Sequence, residues 1–360
     1  VVATGTTWTY TLGTALSDGD YTLSANATDG AGNQGMDSTG FNIRVDNTGP
    51  AAPTMNTITT PNNSPTPTVS GVAEANSTVK IYAGATLKAT TTADGSGVYS
   101  VAMSTLIEGT YTITATTTDG GNRTSAASAG QSITIDTTAP TITNVTSSAA
   151  DGTYGIGATI PIQIVYSSVV NVTGTPILYI QYPGIPVNYA SGSGTNTLTF
   201  NYVPAAGQSF ADLSYHDAFA LSLNGGTIRD TASNNASLNM ATPGAVNSLS
   251  YNKNIVIDAV QATVTGVNSS NADGKWGPGN VINIAVTFSR AVSVAVSTPT
   301  LTLNTSPSRT AAYVNGTGTT VLNFTYTVQA GDTSADLNYA STGALTLNTA
   351  TIKDSVGNNA

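Results

Sequence analysis

A short turn built from Asp, Gly and Asn, followed by a strand and an Asp-Thr-Pro exit, occurs twice at a fixed interval. Thr28-Asp29-Gly30-Ala31-Gly32-Asn33 leads to Val45-Asp46-Asn47-Thr48-Gly49-Pro50, and Thr118-Asp119-Gly120-Gly121-Asn122 leads to Ile135-Asp136-Thr137-Thr138-Ala139-Pro140. Asp29 to Asp119 is 119 − 29 = 90 residues, and Asp46 to Asp136 is 136 − 46 = 90. A unit that repeats with its own turn, strand and exit is a domain, so the chain is a string of similar domains. Its 360 residues suit three to four of them.

The segments between turns read as strands. Tyr111, Ile113 and Ala115 alternate with threonines, as a half-buried strand requires. Thr7-Trp8-Thr9-Tyr10-Thr11-Leu12 and Tyr21-Thr22-Leu23-Ser24-Ala25 alternate in the same way, and Thr78-Val79-Lys80-Ile81-Tyr82 is a further strand. Tyr21, Tyr111, Tyr166 and Phe288 are the expected aromatic core residues. A longer pair of units follows. Ile160, Ile162, Ile164 and Tyr166 are echoed by Ile282, Ile284, Val286 and Phe288 at 282 − 160 = 122 residues, and Leu198, Phe200 and Tyr202 by Leu322, Phe324 and Tyr326 at 322 − 198 = 124. No stretch has a helical period. Short strands separated by turn signals predict antiparallel sandwiches. The expected domains are the back part of one over 1–47, a complete one over 48–137, a longer one over 138–258, and a second long one over 259–360. The last lacks a counterpart of Asn254-Ile255-Val256-Ile257-Asp258, its closing strand. The chain therefore reads as a segment of something longer.

Composition limits the functional classes. Charged residues are 8% of the chain with a net charge of −9, and the ten Lys and Arg residues are scattered, so a basic nucleic-acid surface is not expected. No run of 18 apolar residues predicts a membrane-spanning helix. There is no cysteine, so no disulfide staples such domains. Acidic, thiol-free and rich in Thr and Asn, the composition suggests the outside of a bacterial cell.

The run Glu108-Gly109-Thr110-Tyr111-Thr112-Ile113-Thr114-Ala115-Thr116-Thr117-Thr118-Asp119, closing on Ile135-Asp136-Thr137-Thr138-Ala139-Pro140, resembles the bacterial immunoglobulin-like (Ig-like) repeats of large surface adhesins. The resemblance covers residues 1–140 well and 141–360 more loosely. It implies tandem Ig-like antiparallel β-sandwiches arranged as an elongated rod, acting as an extracellular, cell-surface stalk. Its partners would be neighbouring repeats of the same chain. In some related adhesins, Asp side chains at domain junctions hold Ca²⁺. One departure stands out: Asp119-Gly120-Gly121-Asn122 is a residue shorter than Asp29-Gly30-Ala31-Gly32-Asn33, so its turn geometry is expected to differ.

Calcium takes six to eight oxygens from carboxylates, amides and carbonyls. Late turns supply Asp119, Asp230 and Asp354 with Asn122, Asn234 and Asn358, and strand exits supply Asp46, Asp136 and Asp258. Strand direction in an Ig-like sandwich should bring Asp46 to Asp119, Asp136 to Asp230 and Asp258 to Asp354, with Ca²⁺ between each pair. The bland alternative is that Asp and Asn cap turns by bonding nearby backbone N–H groups. Tyr179, Tyr182 and Tyr189, around Gln181-Tyr182-Pro183-Gly184, could stack on a glycan or contact a protein, or could cover a sheet edge. His216, the only histidine, is read as a surface residue with no nucleophile to serve, and no catalytic residues are assigned. Low charge and Thr-rich strands would also permit self-assembly into fibres.

Overall fold

The computed structural model describes residues 1–3 and 5–360. Two compact units make up the chain: Val1–Thr138 with Ala232–Asn234, and Ala139–Thr231 with Asn235–Ala360. Both are built from β-strands, and Leu249–Asn252 forms a single short helical turn.

In the first unit, residues 54–135 form a complete sandwich. One sheet has the order Thr54–Met55, Thr68–Val72, Val98–Ala102; the other runs Thr86–Thr92, Thr78–Ala83, Gly109–Thr118, Gln131–Ile135. All their pairings are antiparallel. Alternate residues of each sheet point inward, so Val69, Val79, Ile81, Tyr99, Ile113 and Ile133 meet in a sealed core. Tyr111 behaves differently from the expected core aromatic. It is half-buried at the sheet's end, where its hydroxyl donates to the Ile107 carbonyl at 3.1 Å. Tyr21 repeats this, donating to the Ser17 carbonyl at 2.9 Å. A tyrosine near the start of the penultimate strand that ties back to upstream backbone is a known corner of Ig-like sandwiches. The polar tip explains why neither ring is buried whole.

Before this sandwich lies the antiparallel hairpin Gly19–Leu23 with Phe41–Val45, Tyr21 facing Ile43. The strand expected at Thr7–Leu12 does not form. Trp8 and Tyr10 are exposed, and residues 8–12 have no ladder partner. Period-two alternation supplies an apolar face but not the backbone hydrogen bonds a strand needs.

In the second unit the same design appears twice. The first sandwich has a sheet ordered Ile142–Ser147, Ile160–Thr173, Thr195–Tyr202, Ile185–Ser191, Ile177–Ile180, Leu221–Ser222. Its longest strand shifts register between Val165 and Val170, so its far end pairs instead with Thr227–Arg229. A second sheet sets Ile255–Asp258 between Gly152–Tyr154, which is parallel to it, and Ser209–Phe210. The second sandwich repeats the first sheet as Val264–Ser269, Val281–Ala295, Thr319–Thr327, Arg309–Asn315, Thr300–Leu303, Leu345–Thr346, with Thr351–Lys353 on the bent strand. Each has its own apolar core. Tandem Ig-like antiparallel β-sandwiches are therefore the architecture of the chain.

Candidate functional site

The late turns share one geometry. Asp29 N–H donates to the Asn33 carbonyl at 2.9 Å, Asp119 N–H to the Arg123 carbonyl at 3.1 Å, and Asp354 N–H to the Asn358 carbonyl at 3.0 Å. In each, the carboxylate accepts the N–H of the residue four positions on, at 2.9 Å. The third residue after the Asp is left-handed: Gly32 at φ +88°, Asn122 at +63°, Ser233 at +75°, Gly357 at +96°. So the second turn is not a residue short. Asn122 takes the left-handed place of Gly32, a role asparagine tolerates, and Arg123 takes the place of Asn33. Position four is thus Asn33, Arg123, Asn234 or Asn358.

That one exchange puts a cation where the hairpin and the sandwich of the first unit meet. Arg123 Nε donates to Asp119 Oδ2 at 2.9 Å, and Nη2 lies 2.7 Å from the same oxygen and 2.9 Å from Asp46 Oδ1. The Nη2 approaches are charge contacts rather than aligned hydrogen bonds, and Nη1 is buried without a partner. Asp119 is sealed in, while Asp46 is nearly half exposed and also accepts the Thr48 N–H at 3.0 Å. The Arg123 side chain holds the Asp46 carboxyl below its usual range, and the Arg123 backbone N–H does most to lower Asp119 against the upward push of burial. The two carboxylates, Asp46 first, raise the guanidinium.

The second unit has the same arrangement with an arginine from elsewhere. Arg290 sits on Val281–Ala295, and its Nη1 lies 2.8 Å from Asp258 Oδ2 and 3.2 Å from Asp354 Oδ2. The Asp258 carboxylate does most to raise the guanidinium. Burial pushes Asp354 up, but the Asn358 amide, backbone N–H groups and Arg290 outweigh it and leave it lowered. Asn358, itself buried, donates Nδ2 to the Asp258 carbonyl at 2.8 Å and to Asp354 Oδ2 at 3.0 Å, and its Oδ1 accepts the Ile156 N–H at 2.7 Å. Gly155 lies close by, where an added Cβ would fall 2.6 Å from Asn358 Oδ1.

Asp46 with Asp119, and Asp258 with Asp354, are thus brought together as pairs. Asp136 caps Thr138 N–H at 3.1 Å, and its carbonyl accepts the Asn234 amide at 2.9 Å. Asp230 is buried directly after Thr227–Arg229. Calcium needs oxygens, yet Asp119 Oδ1 faces backbone N–H donors, and Asn358 aims its NH₂, not its oxygen, at Asp354. A guanidinium already supplies the positive charge between each pair. As arranged, these donors fit arginine rather than calcium. Among the described residues no group of three Asp, Glu, His or Cys side chains could hold a metal.

The tyrosines of the third sandwich separate in role. Tyr189 meets Phe200 edge-on at 6.0 Å and its hydroxyl accepts the Ser193 N–H, as Tyr313 does with Phe324 at 5.7 Å and Thr317, so it belongs to the hairpin. Tyr179 is at the margin of exposure. Tyr182, 85% exposed, stacks on His216 at 5.5 Å, and the His216 ring contacts Asp217 at 2.9 Å.

Residues 1–47 and 54–137 match the family profile of the bacterial Ig-like domain. These two stretches are similar to the bacterial Ig-like domain family. The profile does not extend into residues 138–360. No curated protein matches the chain. Among solved structures, a marsupial T cell receptor is similar at 10% identity, covering 80% of this chain and 97% of its own, with TM-score 0.35. The Escherichia coli adhesin FdeC is similar at 12% identity, with 86% and 93% covered and TM-score 0.30. A putative membrane anchored protein from Corynebacterium diphtheriae has 11% identity, 82% and 83% covered, and TM-score 0.17. No helix among the described residues is long and apolar enough to cross a membrane.

Proposed function

We propose that this chain is a stalk segment of an extracellular bacterial adhesin or surface filament, and that arginine clips set the angle between successive Ig-like domains. The bacterial Ig-like family supports a surface structural or adhesive role and points away from catalysis. The observation that carries the stalk reading is the recurrence of an Asp–Arg–Asp bridge, once through Arg123 and once through Arg290, between domains of two different lengths. Arginines from unrelated positions in the fold reach the same solution, which is what a requirement for a fixed joint would produce. A calcium ion at either place would first have to displace the guanidinium. Immunogold labelling of intact source cells with antibodies to residues 54–135 tests the localisation. Gold standing off the envelope is the expected result; labelling only after permeabilisation contradicts it.

A second reading has one observation of its own. The stacked Tyr182–His216 pair, with Asp217 beside it and exposed Phe219 in the same loop, is a candidate contact for a glycan ring or a protein surface. A glycan array probed with the chain and with Tyr182→Ala tests it. Binding that disappears in the variant supports this reading, and no binding by the parent chain removes it.

A further inference from the structure

The two long sandwiches differ in how they close, and the difference has a shape. In the third domain, residues 247–258 close the fold. The Asn247 carbonyl accepts the Val145 N–H at 2.9 Å, and Asn252 Nδ2 donates to Asn144 Oδ1 and the Val145 carbonyl at 2.7 and 2.8 Å. Leu249 is fully buried. The strand Ile255–Asp258 then lies between Gly152–Tyr154 and Ser209–Phe210, with Ile255 and Ile257 fully buried and the Ile255 carbonyl accepting the Leu213 N–H at 2.7 Å.

The fourth domain carries two clefts at the corresponding sites. A small one of about 100 Å³ is bordered by Val267, the counterpart of Val145, and by Ile284, Leu301 and Tyr339. A larger one of about 740 Å³ runs between Gly274–Trp276 and Thr333–Asp336 over Ile282, Tyr326 and Leu337. Gly274 stands 122 residues after Gly152, and Thr333 stands 124 after Ser209, so these walls are the counterparts of the two strands that flank Ile255–Asp258. Where the third domain buries Tyr215, Tyr339 is 39% exposed; where it buries Leu213, Leu337 is only partly covered. Trp276 stands 40% exposed on the wall. The places of the two clefts match those that the helical turn and the strand fill in the third domain.

We propose that the fourth domain binds a closing segment of the Asn247–Asp258 kind. It would present a leucine on a turn to the small cleft, then an extended stretch with Ile or Val at alternate positions, ending on Asp, along the large one. The occupant is a stretch of the same polypeptide, as in the third domain, because the walls, the floor and the spacing of the two clefts repeat that domain's own seat. The ladder is mixed: parallel to Gly274–Trp276 and antiparallel to Thr333–Ser334. Ile side chains on one face go to the floor, and the other face turns outward.

The test uses the full chain carrying Trp8→Phe, so that Trp276 is the only tryptophan. One version is extended beyond Ala360 with the sequence of residues 237–258; a control extension replaces the copies of Leu249, Ile255 and Ile257 by Asp. The expected result is a blue-shifted Trp276 emission and a raised melting temperature for the extended monomer, with no change in the control. A free peptide of residues 247–260 is added to the unextended chain as a second arm, and weak saturable binding there agrees with the proposal. Equal spectra and melting for both extensions overturn it. Filling that appears only with concentration-dependent dimerisation overturns the assignment to the same polypeptide and places the donor in a second molecule.

Discussion

Tyr166 and Phe288 occupy the same place in their sandwiches, 122 residues apart, and differ by one hydroxyl. Tyr166 is 1% exposed and its Oη is buried without a hydrogen-bond partner, while burial drives its pKa upward. A buried hydroxyl left unpaired costs about 1–3 kcal/mol, and Phe removes it while keeping the ring. Tyr166→Phe should therefore stabilise the third domain, by about 1 kcal/mol after the lost packing of one oxygen. Denaturant melts followed within that domain check it; destabilisation would mean the hydroxyl has a partner. The arginine clips make a pH prediction at the same scale. Asp46 and Asp119 are lowered in the fold, so their contribution is complete above the ordinary value of 3.8 and is lost as pH falls through the lower folded values. The Arg123 Nε–H resonance should stay protected down to about pH 4 and lose protection below it. Loss of protection near pH 6 would show that the carboxylates do not hold it.

At the scale of the element, the Asp119 and Asp354 turns each present a residue, Arg123 or Asn358, to the neighbouring domain, and the Asp119 turn also starts the last strand's approach. The turns and the alternating core strands were legible because local chemistry writes them, whereas the meeting of Asp46 with Asp119 and of Asp258 with Asp354 was expected from strand direction, which for Asp136 also named Asp230. Asp in such a turn bonds its own backbone, and Ile160, Ile162 and Ile164 alternate whatever the fold around them. The bridging arginines were not legible. Arg290 lies on a strand 32 residues from Asp258 in sequence, and nothing local announces the contact. Arg123 did leave a signal: aligned without a gap, it falls on Asn33, whereas matching Asn122 to Asn33 makes the turn look a residue short. Trp8 and Tyr10 show the converse, a strand pattern without a strand, because pairing is a tertiary matter. Gly155 gives a prediction here. A Cβ at 2.6 Å from Asn358 Oδ1 must displace that amide, so Gly155→Ala should free the Asn358 contacts to Asp258 while leaving the core of the third domain intact. Chemical-shift changes confined to residues around 155, 258 and 358 are the expected outcome; shifts spread through the core strands would contradict it.

For the whole molecule, stability is divided among separate cores, so damage should stay local. Truncating Tyr99, fully buried beneath the Thr54 carbonyl it bonds at 2.8 Å, should cost the second domain about 3–5 kcal/mol and leave the long sandwiches melting as before. In the proposed stalk the joints between such independent domains decide its stiffness, and there the central claim can be measured. The chain has no cysteine, so spin labels can be placed cleanly at exposed Thr39 and Thr90 in the first unit, and at Asn201 and Thr310 in the second. Pulsed dipolar spectroscopy then reads the spread of each interdomain distance. Narrow distributions are predicted for the parent chain, unchanged by a calcium chelator or by millimolar Ca²⁺. Arg123→Gln should broaden only the first pair, and Arg290→Gln only the second. Distributions that narrow on adding Ca²⁺ and ignore both arginine substitutions would contradict the account and return the joints to the metal.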